Sequence, residues 1–240
     1  MDKVELLQLC DFMQRAEIES CDWLMAGSNR VFVVQMTLNG QRLKSIYKPR
    51  KGEAPLWDFP DGTLYKREYA AFLLSLEMGW HFVPPTIVRR GPYGIGSMQY
   101  RIEIPKGTRG FIDRIVDVSL LKKIVLFDYL ANNADRKISH LLQDTDNRLW
   151  VVDHGLTFNS SPKLRTVFWD FSGQKIPKEM IGDVQILRSK LKQGEDFRDK
   201  LFQLLDEEEI GALDYRIRQI LKKAVFPNPT SRWSVPYPWY

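Results

Sequence analysis

The amino-acid sequence predicts an α+β protein of two lobes, the first β-rich over residues 1–104 and the second mainly helical over residues 105–240. Two runs rich in β-branched residues flank Asn39-Gly40. This pair is the strongest short-range signal of a β-hairpin, because both central turn residues need positive φ. The second half instead contains apolar segments of helical character, such as Val118–Ala131. The change of pattern predicts a cleft between two small lobes.

The first lobe is predicted to begin with a helix and an antiparallel sheet. Apolar side chains follow a roughly helical stripe over residues 2–18. A meander of three strands then runs from about Trp23 to Lys48, with a turn at Gly27 between its first two strands. Pro, Gly and Asp residues indicate a loop over residues 49–63.

One more helix and two more strands complete the predicted first lobe. The helix runs from about Leu64 to Met78 and is ended by Gly79. The two strands cover Thr86–Arg90 and Gly96–Ile104, on either side of a turn at residues 91–94.

The second lobe is predicted to hold the remaining helices. The helix Val118–Ala131 precedes a short buried strand, Leu149–Val152, and Met180–Val225 has the pattern of two or three helices. The tail, Phe226–Tyr240, contains four prolines and five aromatic residues. It is too apolar for a free linker, so we expect it to pack on the body of the protein.

The composition excludes several classes of protein. Aromatic residues make up 12% of the chain, which is enough apolar surface to exclude disorder. No stretch approaches the roughly 20 apolar residues of a transmembrane segment. The acidic start lacks the apolar core of a secretory signal. Cys10 and Cys21 do not form a CxxC motif, which argues against a disulfide scaffold and a structural zinc site. We therefore expect a cytoplasmic protein.

The charge balance favours a phosphate-bearing ligand at least as much as a nucleic acid. The chain carries 35 Lys and Arg against 30 Asp and Glu, a net charge of +5. This excess is too small to be a nucleic-acid footprint by itself, and no recognised reading motif accompanies it. Basic residues nevertheless cluster, at Lys44, Lys48, Arg50 and Lys51 and again near residues 163–165. We expect no nucleic-acid partner.

Glu68 is the first candidate functional residue. It lies within the apolar stripe of its predicted helix, because its helical neighbours are Leu64, Ala71 and Phe72. A carboxylate that faces a core is costly unless it is paired or hydrogen-bonded. The natural partner is Lys48, at the end of the preceding strand, and such a strand Lys and helix Glu position nucleotide phosphates in kinases. The alternative is that Glu68 lies at the edge of the stripe and Lys48 is merely solvated.

Two acidic segments supply the other candidates. Asp135 follows the apolar helix, where a loop must begin, and Asp153 ends an apolar strand ahead of Gly155. A carboxylate in this position suits Mg²⁺, which takes one or two protein carboxylates together with phosphate oxygens. Asp135 would accept or orient the proton of an attacking hydroxyl, His140 would be the second metal contact, and Asn133 would brace the loop. Either segment alone also suits an Asx-rich turn, but both together with the upstream Lys and Glu favour a phosphotransfer site.

In combination these segments resemble a known superfamily. The motifs Asn133-x-Asp135-Arg136-x-x-x-His140 and Asp153-His154-Gly155 are similar to the catalytic and metal-binding loops of atypical kinases related to phosphatidylinositol 3-/4-kinases, and to those of bacterial HipA-type protein kinases. Over about Lys48 to Gly173, the chain resembles an uncharacterised bacterial branch of that superfamily more closely. The segments that carry this closer resemblance are Tyr47-Lys48-Pro49, residues 52–60, Arg67-Glu68-x-Ala70-Ala71 and residues 164–171.

The resemblance implies a two-lobed protein-kinase-like fold that binds ATP with Mg²⁺ or Mn²⁺. It implies that Lys48 contacts phosphate, that Glu68 is its helix partner and that Asp153 is the principal metal ligand. The strand Ser97–Ile102 would lead to the hinge against which adenine stacks, and the turn at residues 27–29 would cover the phosphates with backbone N–H groups. The implied catalytic loop comprises Asp135 as the acid, Asn133 and Arg136. The other implied nucleotide contacts are Gly27, Ser28, Asn29, Met98 and Gln99.

The expected function is ATP-dependent phosphotransfer to a hydroxyl of a lipid headgroup, a protein or a small molecule. Lys163 and Arg165 follow Asp153 at the distance where an activation segment would meet the substrate. The alternative, to which we give equal weight, is that they lie in a solvated loop without contact to the substrate. One departure matters: the superfamily usually has Asn where this chain has His140, and imidazole suits Mn²⁺ or Zn²⁺ better than Mg²⁺. A pseudokinase that binds nucleotide without turnover and nucleotidyl transfer from the same fold are therefore alternatives.

Overall fold

The N-terminal part of the chain is an antiparallel sheet with a helix on one face. The computed structural model describes residues 1–24, 29–105, 117–192, 194–231 and 233–237, so the predicted turn at Gly27 and Ser28 lies outside the described residues. Asp2 and Glu5 form a capping box at the start of the first helix, α1 (Lys3–Arg15). Within the described ranges the sheet has five strands in the order β1-β2-β3-β5-β4. These are β1 (Glu17–Leu24), β2 (Val31–Leu38), β3 (Gln41–Pro49), β4 (Thr86–Gly91) and β5 (Gly94–Tyr100).

The two faces of this sheet have different neighbours. Residues that pair directly across strands point to the same face. Tyr47 pairs with Met98, and both lie in an apolar cluster with Met13 of α1. Lys48 pairs with Ser97, one residue along each strand, so Lys48 points to the opposite face. The helix α1 thus covers one face, and the other face carries Lys48.

The remaining elements enclose a larger apolar core. Helix α2 (Leu64–Glu77) contributes many of its side chains to this core, together with the helices of the second half. The other elements are α3 (Val118–Leu130), β6 (Leu141–Gln143), β7 (Leu149–Val151), α4 (Lys178–Lys190), α5 (Asp196–Phe202) and α6 (Glu207–Lys223). Residues with little or no exposed surface in this core include Phe72, Phe82, Phe127, Trp150 and Leu213. No helix in the described ranges is long and apolar enough to cross a membrane.

The α+β class and the order of the main elements are confirmed, and the division into lobes at residue 104 stays a prediction. The hairpin at Asn39-Gly40 is present, with φ of 51° and 78°. One boundary that differs is the end of the first helix. The first helix ends at Arg15 rather than residue 18, because Glu17 already pairs with Thr37 in the sheet. In the described part of the tail, Phe226 and Ser234 are buried, and the Ser234 carbonyl accepts the N–H of Thr166, whereas Trp233 and Tyr237 are largely exposed.

A buried ion pair joins α2 to the start of α6. The guanidinium of Arg67 donates to the carboxylate of Glu209 and, at 2.6 Å, to the carbonyl oxygen of Thr157. The second carboxylate oxygen of Glu209 accepts the N–H of Asp206, which completes the capping box of α6. Both charged side chains are almost fully buried, so each depends on the other for compensation.

We expect the substitution Arg67→Met to lower the free energy of unfolding by about 3–5 kcal/mol, because it leaves the Glu209 carboxylate buried without its cation. Chemical denaturation of the full chain measures this change. The double variant Arg67→Met/Glu209→Gln should recover part of the loss. The control is Lys66→Met on the same helix, expected within about 0.5 kcal/mol of the wild type. Equal effects of Arg67→Met and Lys66→Met would contradict the importance of the pair.

Candidate active site

Lys48 is the centre of the candidate site, where β3, α2 and the loop after β7 meet. Its ammonium group binds the carboxylate of Glu68 and lies 3.0 Å from Oδ1 of Asp153. The predicted contact between Lys48 and Glu68 is therefore present. Burial opposes the charge of Lys48, but Asp153 and Glu68 outweigh burial and raise its pKa. Lys48 is thus a fixed cation.

Glu68 makes a second contact that the sequence pattern does not indicate. Its Oε2 accepts the backbone N–H of His154 at 3.1 Å while its Oε1 accepts from Lys48. Glu68 is buried, and both of its carboxylate oxygens have partners, as a buried carboxylate requires. One side chain of α2 therefore fixes both the strand that carries Lys48 and the loop that carries Asp153.

Asp153 adopts a left-handed backbone conformation, with φ of 61°. Asp tolerates this region better than most residues. Asp153 lies two residues beyond the end of β7. Its carboxylate points to Lys48 and to His140, whose Nε2 lies 3.5 Å from Oδ2. The ammonium of Lys48 lowers the pKa of Asp153 against the opposing effect of burial. Asp153 is therefore a permanent anion at the exposed side of the site.

His140 stands beside Asp153 as a neutral imidazole. Burial is the largest influence and lowers the pKa of His140 to about 4, although Asp153 acts in the opposite direction. The backbone of His140 is fixed to the strand beside Asp153, since the His140 carbonyl accepts the N–H of Val152 at 2.9 Å. Its Nδ1 is buried without a hydrogen-bond partner in the described part of the chain. Neutral imidazole is the form that can act as a metal ligand.

The predicted catalytic loop is braced by Asn133. Its Nδ2 donates to Asp128 Oδ1 at 2.8 Å, and its Oδ1 accepts the backbone N–H of Asp135 at 3.0 Å. The carboxylate of Asp135 lies 3.0 Å from the ammonium of Lys137. Burial raises the pKa of Asp135, and Lys137 partly offsets this rise. The side chain of Asn133 is thus hydrogen-bonded to the backbone of Asp135.

Arg136 differs from its predicted place among the catalytic residues. The side chain has no exposed surface, and its guanidinium contacts both carboxylate oxygens of Asp128 at 2.9–3.2 Å. It also donates to the carbonyl of Val152 at 2.9 Å and lies 2.8 Å from Nε2 of His154. Because its guanidinium is surrounded by these internal partners, Arg136 acts as a positioning residue. It joins the loop after α3 to the loop after β7.

The structure places the predicted nucleotide contacts at different positions. Met98 is fully buried on the sheet face opposite Lys48, in the cluster under α1. Gln99 lies on the Lys48 face and donates to Thr86 Oγ1 at 2.9 Å. Asn29 accepts the N–H of Ala54 at 2.7 Å, so its side chain holds the loop after β3. Gly27 and Ser28 lie outside the described residues.

The segment with Lys163 and Arg165 runs beside the predicted catalytic loop. The N–H of Arg165 donates to the carbonyl of Asn133 at 2.9 Å, and its own carbonyl accepts the N–H of Arg136 at 3.0 Å. The ammonium of Lys163 lies 2.8 Å from Asp58 and 5.0 Å from the centre of the Trp57 ring. Both predicted residues are thus next to the loop, with the Lys163 charge balanced by Asp58.

Comparison with solved structures defines the fold as kinase-like. The structure is similar to that of the Golgi casein kinase with Mn/ADP bound, with a TM-score of 0.57 and 14% identity over 96% of this chain and 81% of that chain. It is also similar to hydra Fam20 with sugar, with a TM-score of 0.59 and 14% identity over 92% of this chain and 88% of that chain. At this identity the similarity shows the fold alone.

The sequence has a relative among curated proteins. It is 35% identical to Protein Rv2133c of Mycobacterium tuberculosis over an alignment of 250 residues, which covers 90% of this chain and 89% of the relative. The chain therefore belongs to the family of that mycobacterial protein. No model of a known protein family matches the sequence. The predicted relation to phosphatidylinositol 3-/4-kinases and HipA-type kinases stays a prediction within the kinase-like fold.

We expect Asp128→Asn to lower the free energy of unfolding by about 3–5 kcal/mol, because it leaves the guanidinium of Arg136 buried without its carboxylate. Denaturant titration followed by tryptophan fluorescence measures the loss. Asp146→Asn is the matched control, since Asp146 is an exposed residue in the turn between β6 and β7. It should change stability by less than about 0.5 kcal/mol. A loss below about 1 kcal/mol for Asp128→Asn would contradict the role given to the pair.

Proposed function

We propose that the protein is an ATP-dependent phosphotransferase of the atypical kinase-like type. The observation that carries the proposal is the meeting of Lys48 with Glu68 and Asp153, contributed by a strand, a helix and a loop in the order found in kinases. The similarity of the fold to that of kinases supports the same proposal. Activity is therefore the expected property of this site.

Two residues of the chain would perform the transfer. Lys48, a fixed cation, would stabilise the charge that develops on the transferring phosphoryl group. Asp135 would orient the acceptor hydroxyl and take its proton. A general base is most effective when its pKa lies near the working pH, and burial shifts the pKa of Asp135 upward in that direction. Asn133 and the chain of contacts through Arg136 would keep Asp135 in place.

The nucleotide would lie against the sheet face that carries Lys48. Ile46 and Gln99 pair across β3 and β5 on this face, and Ile46 offers an apolar surface beside Lys48. Residues 101–105, which follow β5, would form the hinge for the adenine ring. The Golgi casein kinase, whose fold is similar, has been solved with Mn and ADP bound, and this supports nucleotide binding in the same cleft here.

The donors beside Lys48 fit a divalent cation. Asp153 offers one carboxylate and His140 a neutral imidazole 3.5 Å from it, although no cluster of three or more His, Cys, Asp or Glu occurs in the described ranges. A set of only two protein ligands suits a cation that takes its other ligands from phosphate and water. A nitrogen donor favours Mn²⁺ over Mg²⁺. When bound, the cation would offset phosphate charge.

We further propose that the acceptor approaches along the segment of Lys163 and Arg165. This segment is hydrogen-bonded to the catalytic loop at Asn133 and Arg136, so a molecule bound to it would lie close to Asp135. The acceptor hydroxyl belongs to a lipid headgroup, a protein or a small molecule, and the segment is the place to look for its contacts.

We expect ATP with Mn²⁺ or Mg²⁺ to raise the Tm of the wild-type chain by about 5–10 °C at a hundredfold excess over Kd. Asp153→Asn and Lys48→Met should remove most of this shift, because they remove the carboxylate and the cation that would hold the metal-bound phosphates. Asp146→Asn and Lys66→Met are the matched controls and should retain it. No shift in the wild type, or equal shifts in all variants, would reject the site.

Transfer of label from ATP to components of a cell extract separates the proposed enzyme from its alternatives. Asp135→Asn should lower transfer from γ-labelled ATP by about 10²-fold or more, in line with the loss of a general base, without removing the thermal shift. A thermal shift with no transfer would favour a nucleotide-binding module without turnover. Label that appears in product only from α-labelled ATP would favour nucleotidyl transfer.

We expect His140→Asn to change which metal supports nucleotide binding. The amide oxygen is a harder donor than imidazole, so the variant should bind ATP better with Mg²⁺ relative to Mn²⁺ than the wild type does. Thermal-shift titrations of ATP with each metal give the ratio of the two affinities. A ratio unchanged from the wild type would show that His140 does not contact the cation.

A further inference from the structure

A second cavity, of about 640 Å³, lies at the end of the sheet that carries the turn between β4 and β5. Among the described residues, its lining combines three aromatic rings, Trp23, Phe32 and Tyr93, with two cations, Arg30 and Lys51, and with proline and glycine residues. Its volume falls within the range of roughly 300–1,000 Å³ that small-molecule sites occupy. Neither Lys48 nor Asp153 lines it.

The three rings form a continuous row on one side of the sheet. Trp23 and Phe32 pair directly across β1 and β2, so their side chains share a face. Phe32 stacks on Tyr93, with ring centres 4.4 Å apart and an angle of 21° between the rings. Trp23 remains 66% exposed and Tyr93 48% exposed. The row therefore offers open ring faces to a planar ligand.

The backbone holds this row in place. The buried Tyr47 donates its hydroxyl to the carbonyl of Gly94 at 2.6 Å, which ties the turn that carries Tyr93 to β3. Gly96 permits the close approach, because a Cβ there would lie 2.4 Å from the carbonyl oxygen of Lys48. Trp23 and Phe32 are thus presented by paired strands, and Tyr93 by a turn that is hydrogen-bonded to β3.

The two cations are also brought together by the backbone and lack counter-charges. The N–H of Arg30 donates to the carbonyl of Gly52 at 2.9 Å, so Arg30 lies beside the segment that carries Lys51. In the described ranges neither cation has a carboxylate partner, and the lining of the cavity contains no Asp or Glu. Two unpaired cations at one cavity favour an anionic ligand.

We propose that this cavity is a second ligand site, for a small molecule that joins a planar ring to a phosphate group, as a nucleoside monophosphate does. Arg30 would bind the phosphate through its planar fork of N–H donors, with Lys51 as a further cation. Trp23 and Tyr93 would stack against the ring, as aromatic side chains do against nucleic-acid bases. Trp23 and Phe32 lie on the sheet face opposite Lys48, so the site is separate from the proposed phosphotransfer cleft.

Calorimetric titration of the full chain with AMP, adenosine and ribose 5-phosphate, without divalent cation, tests the proposal. AMP carries both the ring and the phosphate and should bind at least about tenfold more tightly than either fragment, since stacking and charge pairing each contribute about tenfold. Trp23→Ala and Arg30→Gln should each weaken AMP binding by about tenfold or more. Trp57→Ala, which removes a more exposed ring elsewhere, and Asp153→Asn, which alters the other cleft, should leave it unchanged. Thermal unfolding confirms that each variant is folded.

Three results would overturn the proposal. Loss of AMP binding in Asp153→Asn but not in Trp23→Ala would place the nucleotide in the other cleft. Binding of adenosine or ribose 5-phosphate as tight as that of AMP would exclude the proposed combination of ring and phosphate. Absence of AMP binding at millimolar concentration would exclude the site itself. None of these results depends on whether the protein transfers phosphate.

Discussion

The buried carboxylate of Glu68 is the constraint on which the arrangement of the site depends. A carboxylate in an apolar environment needs partners for both oxygens, and Glu68 finds them on two different elements: the ammonium of Lys48 and the N–H of His154. Helix α2 can therefore pack its apolar side against the core only when β3 and the loop after β7 are both in place. The left-handed conformation of Asp153 is held by the same contacts.

Two further buried charge pairs extend this arrangement through the second half of the chain. The pair of Asp128 and Arg136 fixes the loop after α3, and Arg136 also contacts His154. The pair of Arg67 and Glu209 connects α2 to α6. Such pairs contribute little net stability compared with apolar residues, but removing one partner is costly. The pairs thus disfavour alternative packings of the helices, in which a charge would be buried without its partner. The favourable free energy of folding comes from the apolar core around them.

The sequence predicts those site residues whose charge stands out within an otherwise apolar segment. Glu68 stands out because a charge interrupts an apolar helical stripe, and the same reasoning applied to Asp128 in α3 would have found the partner of Arg136. Met98 shows the limit of the approach: period-two alternation puts Met98 and Gln99 on opposite faces, but only the pairing of Lys48 with Ser97 tells which face is the site. Likewise β1 is an edge strand, mostly exposed, so its first half lacks the apolar signal of a strand.

The charges around Lys48 explain why nucleotide binding in this cleft should depend on a cation. Glu68, Asp153 and Asp135 bring three carboxylates to the site, against the two ammonium groups of Lys48 and Lys137, while burial keeps His140 neutral. Phosphates that enter would therefore meet more negative than positive side chains. In addition, the ammonium group of Lys48 is already paired with the carboxylate of Asp153. Because unscreened like charges at short range are strongly unfavourable in a partly buried site, the chain's own cations do not suffice for a polyphosphate. A divalent cation at Asp153 and His140 would reverse the local sign, and the pair would then contribute to the proposed nucleotide binding as well as to the chemical step.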